Sequence, residues 1–315
     1  MDKLNKIGLT ALAGVFATAS AQAADVSVSG GASVNFATDD KTETTGNKLS
    51  MGDSLTFTVS GDSDFGTVSH SIEIDGGSQD DQTLKVDMGD NGVVYVQNSG
   101  AQGTGADLTP NAYGSASYSL AANQTAGLQG KHYADGLDSG VGSLNLGYTN
   151  SIAGFDVAVG YTMGAAANTS GDDLAVNVKY ADLVDGLTLS VGYADLNQDA
   201  TDGITEQTIS ASYAMGNITF GLMDYQADDD AASGTDYDGR HYGVSVQIND
   251  DLAVSYDKSS SDKATTDVDE DISSFQASYT MGNMTVKGHI TRADNEGYSS
   301  GAEDEQKAID VSWSF

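Results

Sequence analysis

The chain has 315 residues, with 13 Lys and Arg against 46 Asp and Glu, a formal net charge of -33. That sign excludes a simple nucleic-acid binder, because phosphate would be repelled over the whole surface. The absence of Cys removes disulfides, thiolate zinc sites and thiol catalysis. No apolar run reaches the ~18 residues of a helical membrane span, whereas a membrane barrel needs an apolar residue only at every second position.

In chain order, Lys3 and Lys6 precede a small and apolar stretch from Ile7 to Ala21, and Ala21-Gln22-Ala23 fits an A-x-A cleavage site. Residues 1–23 therefore read as an export signal peptide, and 24–315 as one mature domain. From Asp25 onward the dominant period is two. Val26, Val28, Val34 and Phe36 share one face with Ser27, Ser29 and Ser33 on the other. Leu55, Phe57 and Val59 alternate with Thr56 and Thr58; Ile72 and Ile74 alternate with Glu73 and Asp75; Val86 alternates with Lys85 and Asp87. After an irregular stretch at 99–140, the pattern resumes from Leu144 and runs to Ile309, Val311, Trp313 and Phe315. Each unit is a strand with one apolar and one polar face. Tight turns such as Met215-Gly216-Asn217 and Met281-Gly282-Asn283 alternate with longer acidic loops, the layout of an outer-membrane barrel. Five strands before residue 99 and eleven after it make sixteen, an even number that puts both ends on one side. Tyr113–Leu120 is a further short candidate, and with one more strand the count would be eighteen.

Three features favour a membrane barrel over a soluble sandwich. The apolar stripes end repeatedly in Tyr (Tyr148, Tyr161, Tyr180, Tyr193, Tyr213, Tyr256 and Tyr279), as an aromatic girdle at the headgroups requires. The polar faces are Ser, Thr, Gly and Asn, which suit a water-filled lumen, whereas a tight soluble barrel fills its inside with apolar side chains. Backbone in lipid must be fully paired, and only a closed sheet does that without an edge.

The export signal, strand rhythm, Tyr ends and terminal Phe315 together resemble the Gram-negative general porins over essentially the whole mature chain. The resemblance implies an all-β, sixteen-stranded antiparallel transmembrane barrel in the outer membrane of a Gram-negative bacterium. It implies a homotrimer, and a long third loop folded inward to narrow the pore. Residues 99–140 match that constriction loop in order and size. The Pro-Glu-Phe-Gly turn found in some members is missing; the single proline is Pro110, in Leu108-Thr109-Pro110-Asn111. Trp313 and Phe315 are similar to the signal read by the outer-membrane barrel assembly machinery.

A pore needs no catalytic residue and no cofactor; size and charge at its narrowest section set what passes. In the family, loop acids face wall bases across the constriction. Carried over, Asp107, Asp135 and Asp138 form the acidic side, and Lys85, Lys179 and Lys287 the basic side. The function expected is passive diffusion of ions and small hydrophilic solutes. The acidic mouth should give a weak cation preference that fades with salt. Acid runs at Asp267, Asp269, Glu270 and Asp271, or at Asp228–Asp230, are candidate Ca2+ or Mg2+ ligands, but neither has EF-hand spacing. Ten of the 15 Tyr lie between Tyr148 and Tyr279, and Gly30 and Ala32 stand on the apolar face of the first strand. The N-terminal strands and the last strand are therefore expected at the protomer interface. The four His (His70, His132, His241 and His289) form no recognisable enzymatic constellation. The competing reading is a non-channel outer-membrane barrel serving as an anchor or adhesin.

Overall fold

Two-faced strands can satisfy both lipid and water only if the sheet they form has no edge. The computed structural model closes sixteen strands into one antiparallel barrel. It describes residues 24–39, 49–98, 106–113, 145–163, 172–181, 183–197, 203–229 and 234–315. The first eight strands are β1 (Asp25–Asp39), β2 (Leu49–Ser63), β3 (Gly66–Asp75), β4 (Ser78–Asp87), β5 (Val93–Gln97), β6 (Asn145–Ile152), β7 (Phe155–Thr162) and β8 (Asp173–Tyr180). The others are β9 (Leu187–Asn197), β10 (Gly203–Met215), β11 (Ile218–Asp229), β12 (Tyr237–Gln247), β13 (Leu252–Lys263), β14 (Glu270–Met281), β15 (Met284–Asp294) and β16 (Glu303–Ser314). Each pairs with its sequence neighbours, and β1 closes on β16. The ring is thus sixteen, not eighteen: Tyr113 is not a strand residue, and the rest of the Tyr113–Leu120 candidate lies outside the described residues. So do residues 1–23, the expected export signal.

The tight turns gather on the rim that also holds both ends of the barrel. Gly216 and Gly282 lead two of them with φ of 64° and 59°, a region where a side chain would be strained. The opposite rim carries the longer connections, with one exception. There β3 and β4 meet in a two-residue turn, Gly76-Gly77, with φ of 54° and 83°. The wall is low at that point, because β2 runs on from Ser54 to Leu49 paired only with β1.

Closure rests on the β1–β16 seam, whose register runs from Gly31 opposite Ser314 to Asp39 opposite Gln306. Gly30 and Phe315 then exchange both backbone hydrogen bonds, at 2.8 and 2.9 Å. Gly30 leaves room for the terminal ring. A Cβ there would stand 2.7 Å from the Ser54 carbonyl oxygen and 3.0 Å from the Phe315 ring. The apolar faces point outward and are open, with Ile209 at 66% and Phe275 at 53% exposure. Inside, two apolar clusters depart from the expected small polar lining. Met223, Tyr225, Ile272, Ala293 and Tyr298 form one, and Ala175, Ala194, Leu196, Ile204 and Ala227 the other. Both lie toward the long-loop rim, where the inner wall is covered and an inward side chain need not meet water.

Replacing Gly30 by Val should overpack the seam, costing about 1–3 kcal/mol. The folded band on an unheated denaturing gel should melt at lower temperature than that of the parent. An unchanged melting profile would show that the seam does not depend on this contact.

Candidate functional site

The inner wall does not treat its small polar residues alike. On β9 to β15 the inward Ser190, Thr208, Ser210, Ser255, Ser259, Ser274 and Thr291 are buried. On β1 to β3 the inward Ser27 and Ser29 are exposed, and Thr56, Thr58, Ser69 and Ser71 are partly open. Part of the cover is the segment Ala106–Tyr113, which belongs to the long connection after β5.

That segment lies along the wall strand by strand. Ala106 rests against Gly192 of β9, and its carbonyl accepts a hydrogen bond from the Ser210 hydroxyl of β10. Leu108, Thr109 and Pro110 lie on Gly221 of β11 and Gly243 of β12, which are paired directly opposite each other. A Cβ on Gly221 would stand 2.5 Å from Pro110 Cδ, and one on Gly243 2.7 Å from Thr109 Cγ2. The Ala112 N–H donates to Ser255 Oγ of β13 at 2.8 Å, and the Tyr113 N–H to Gln276 Oε1 of β14 at 2.9 Å. The Tyr113 ring meets His289 of β15 edge-on, with centroids 4.6 Å apart, and its hydroxyl accepts from Asn35 of β1 at 3.3 Å. Glycine in a strand interior marks a close approach of another backbone. Gly192, Gly221 and Gly243, all on the inward face, were the sequence signal for this bed, and periodicity alone does not read it.

The expected site residues separate into three groups. Asp107 does not look across an open section toward a base. Its side chain is 9% exposed and its Oδ2 lies 3.0 Å from Nδ1 of His241, whose Nε2 lies 3.4 Å from Asp257 Oδ1. Burial raises the Asp107 pKa, but the His241 contact and the Thr109 N–H outweigh it and hold the carboxyl below its ordinary value. Burial, then the charge of Asp310, pushes the Tyr113 phenol up. Lys85, Lys179 and Lys287 form a second group, each beside an acid on the same wall. Lys85 lies 3.6 Å from Asp87, Lys179 stands opposite Asp156, and Lys287 opposite Asp310. Asp107 thus meets a wall histidine, and each of these lysines has an acid beside or opposite it. Asp135 and Asp138, the third group, lie outside the described residues.

On the outer face Tyr193, Tyr213, Tyr256 and Tyr279 are exposed, and Tyr148, Tyr161 and Tyr180 are half-buried. Tyr180, Tyr213 and Tyr279 lie at the short-turn ends of their strands, but Tyr193 and Tyr256 lie within theirs. There the Tyr ends the apolar stripe and not the strand: the next outward residues are Asp195 and Lys258, the latter 3.2 Å from Asp271. The strands outrun the membrane toward the long-loop rim. Trp313 and Phe315 are exposed on the outer face at the opposite end.

The acid run at 267–271 does not converge. Glu270 is buried inward and accepts the Gly297 N–H at 2.7 Å, while Asp271 pairs outward with Lys258. Asp228 is exposed, Asp229 has its N–H on Asp236 at 3.0 Å, and Asp230 lies outside the described residues. Among the described residues, Glu73, Asp80 and Asp81 bring their carboxylate oxygens within 4.8 Å of one another.

Comparison with known proteins follows the same line. Among solved structures, the chain is similar to an anion-selective porin from Comamonas acidovorans, at 15% identity and a TM-score of 0.70, covering 93% of this chain and 100% of that one. It is similar to the trimer form of OmpT, an outer membrane protein of Vibrio cholerae, at 14% identity and 0.65, covering 93% and 100%. A mutant of the Rh. blastica porin matches at 13% identity and 0.61, covering 92% and 100%. These likenesses are of fold. No curated protein matches the sequence. The family model of the Gram-negative porins matches residues 8–298, and the chain belongs to that family of outer-membrane barrels.

Proposed function

We propose that this porin is a water-filled channel for passive diffusion of ions and small hydrophilic solutes, with a weak preference for cations. The observation that carries the reading is the division of the inner wall. A loop segment occupies the bed on β9 to β15, while the inward face of β1 to β3 stays polar and open. Water and solutes have a hydroxyl-lined side to follow.

The preference comes from charge. Lys85, Lys179 and Lys287 each have an acid beside or opposite them on the wall, whereas inward Lys263 lies over the rings of Tyr237 and Tyr298 toward the long-loop rim. Glu73 faces Thr56, and Asp75 faces Ser54 and Ser78, with no base opposite either. With a chain charge of -33, the field in the lumen is negative on balance. The similar Comamonas acidovorans protein is called anion-selective, so likeness of fold does not decide the sign here.

The reading includes a homotrimer, supported by the trimer form of the Vibrio cholerae relative. Ala32 on the outward face of β1 suits close packing against a neighbouring protomer. Catalysis is no part of the proposal. Both ring nitrogens of His241 face carboxylates, His70 meets Gln82, and His289 meets Thr291 and Tyr113.

Two outcomes test this. Under a KCl gradient in a planar bilayer, the reversal potential should show cation preference at low salt. It should shrink toward zero near 1 M, where the Debye length is about 3 Å. Anion preference would refute the charge argument, and a silent bilayer would favour the anchor reading. Replacing Gly221 by Leu should lift the loop off its bed, lowering conductance and costing about 1–3 kcal/mol of stability. Unaltered conductance would mean that the loop does not bound the passage.

A further inference from the structure

We propose that His241 is a positioning residue: clamped between Asp107 of the loop and Asp257 of the wall, it fixes the loop in one place and so sets the bore of the channel. This rests on the pore reading above.

The imidazole is fully buried, with Asp107 Oδ2 at 3.0 Å on one side and Asp257 Oδ1 at 3.4 Å on the other. Asp257 is also fully buried. Such a cluster is a costly way to hold two surfaces together, since desolvating charges offsets most of their attraction. Serine and glycine line the same wall and would pack there at lower cost. What a buried charged cluster supplies beyond stability is register, because only one alignment pairs every member.

The far end of the segment refers to the same wall carboxylate. Asp257 Oδ2 accepts from Gln276 Nε2 at 2.7 Å. Gln276 Oε1 accepts the Tyr113 N–H at 2.9 Å and the Ser255 hydroxyl at 3.5 Å, and Ser255 Oγ accepts the Ala112 N–H at 2.8 Å. Asp107 in turn accepts the Thr109 N–H at 2.7 Å, which shapes the turn leading to Pro110. Loop residues Asp107, Ala112 and Tyr113 are thus tied through one network centred on Asp257. Between them the chain rests on Gly221 and Gly243, which hold no side chain to keep it elsewhere. A segment anchored at both ends on a bare bed has a single seat. The clamp lies beneath the loop, away from the open face of β1 to β3, so it governs bore and not ion preference.

The test is single-channel recording of the folded full-length porin, with reversal potential and folded-band mobility measured on the same preparations. His241→Ala and, separately, Asp107→Asn should turn one conductance level into several interconverting levels, with the reversal potential unmoved. The chain has no native Cys, so Ala112→Cys with Ser255→Cys gives an uncomplicated tether across the 2.8 Å contact. Oxidised in the His241→Ala background, it should restore one level, and reduction should undo the rescue. If His241→Ala does not fold, Asp107→Asn decides, since it leaves every strand residue in place. A single unaltered level in folded Asp107→Asn, or levels that persist after tethering, would overturn the proposal. A wild-type protein that never conducts would instead sink the pore reading itself.

Discussion

The interaction on which the rest depends is the pairing of backbone amides around a closed ring. In a hydrocarbon layer an unpaired N–H or C=O costs several kcal/mol, and a flat sheet leaves two edges of them. Sixteen antiparallel strands with β1 against β16 leave no edge strand. Once closure is imposed, the alternation of each strand fixes one face toward lipid and the other inward. Gly30 and Phe315 carry the closure one pair further, exchanging both backbone hydrogen bonds. The same logic permits the low wall at Gly76-Gly77, because it lies on the rim where β2 outruns its neighbour.

Closure alone makes a cylinder, and the inner surface then has to be divided. Among the described residues, the loop segment lies on β9 to β15 and touches β1 at Asn35, and Ser27 and Ser29 of β1 are exposed. Serine serves both roles: Ser255 and Ser210 are hydrogen-bonding seats for backbone, and Ser27 and Ser29 meet solvent. Gly221 and Gly243 exist as a pair because a loop backbone passes where their side chains would be. Charge follows the same division. Asp107, His241 and Asp257 meet beneath the loop, whereas Glu73 and Asp75 stand on the open wall.

Most of the architecture was legible in the sequence because strand alternation is local. The sixteen strands, the outward Tyr, and the apolar face running to Trp313 and Phe315 follow from neighbours two residues apart. The ring closes with sixteen strands, and Tyr113, the described residue of the further candidate, bonds to Gln276 of the wall and not to a strand partner. The site was less legible for a related reason. Asp107 and His241 are 134 residues apart, and nothing local says that one carboxylate turns inward to a wall histidine. Lys179 and Asp156 look like separate lumen charges until the register sets them opposite each other. Tyr193 and Tyr256 marked the end of the apolar stripe, but the strands run past them because the long-loop rim stands clear of the lipid.

The central claim is a barrel with lipid outside, water along β1 to β3, and a covered bed along β9 to β15. Single cysteines in the Cys-free chain, reconstituted in liposomes and challenged with a charged membrane-impermeant thiol reagent, address it most directly. Inward positions Ser29, Thr56 and Ser71 should label quickly. Outward Val28, Phe57 and Ile72 should stay unlabelled in lipid, and inward Ser210, Ser259 and Ser274 should label slowly beneath their cover. Equal labelling of inward and outward neighbours, or ready labelling of all three bed positions, would contradict the account.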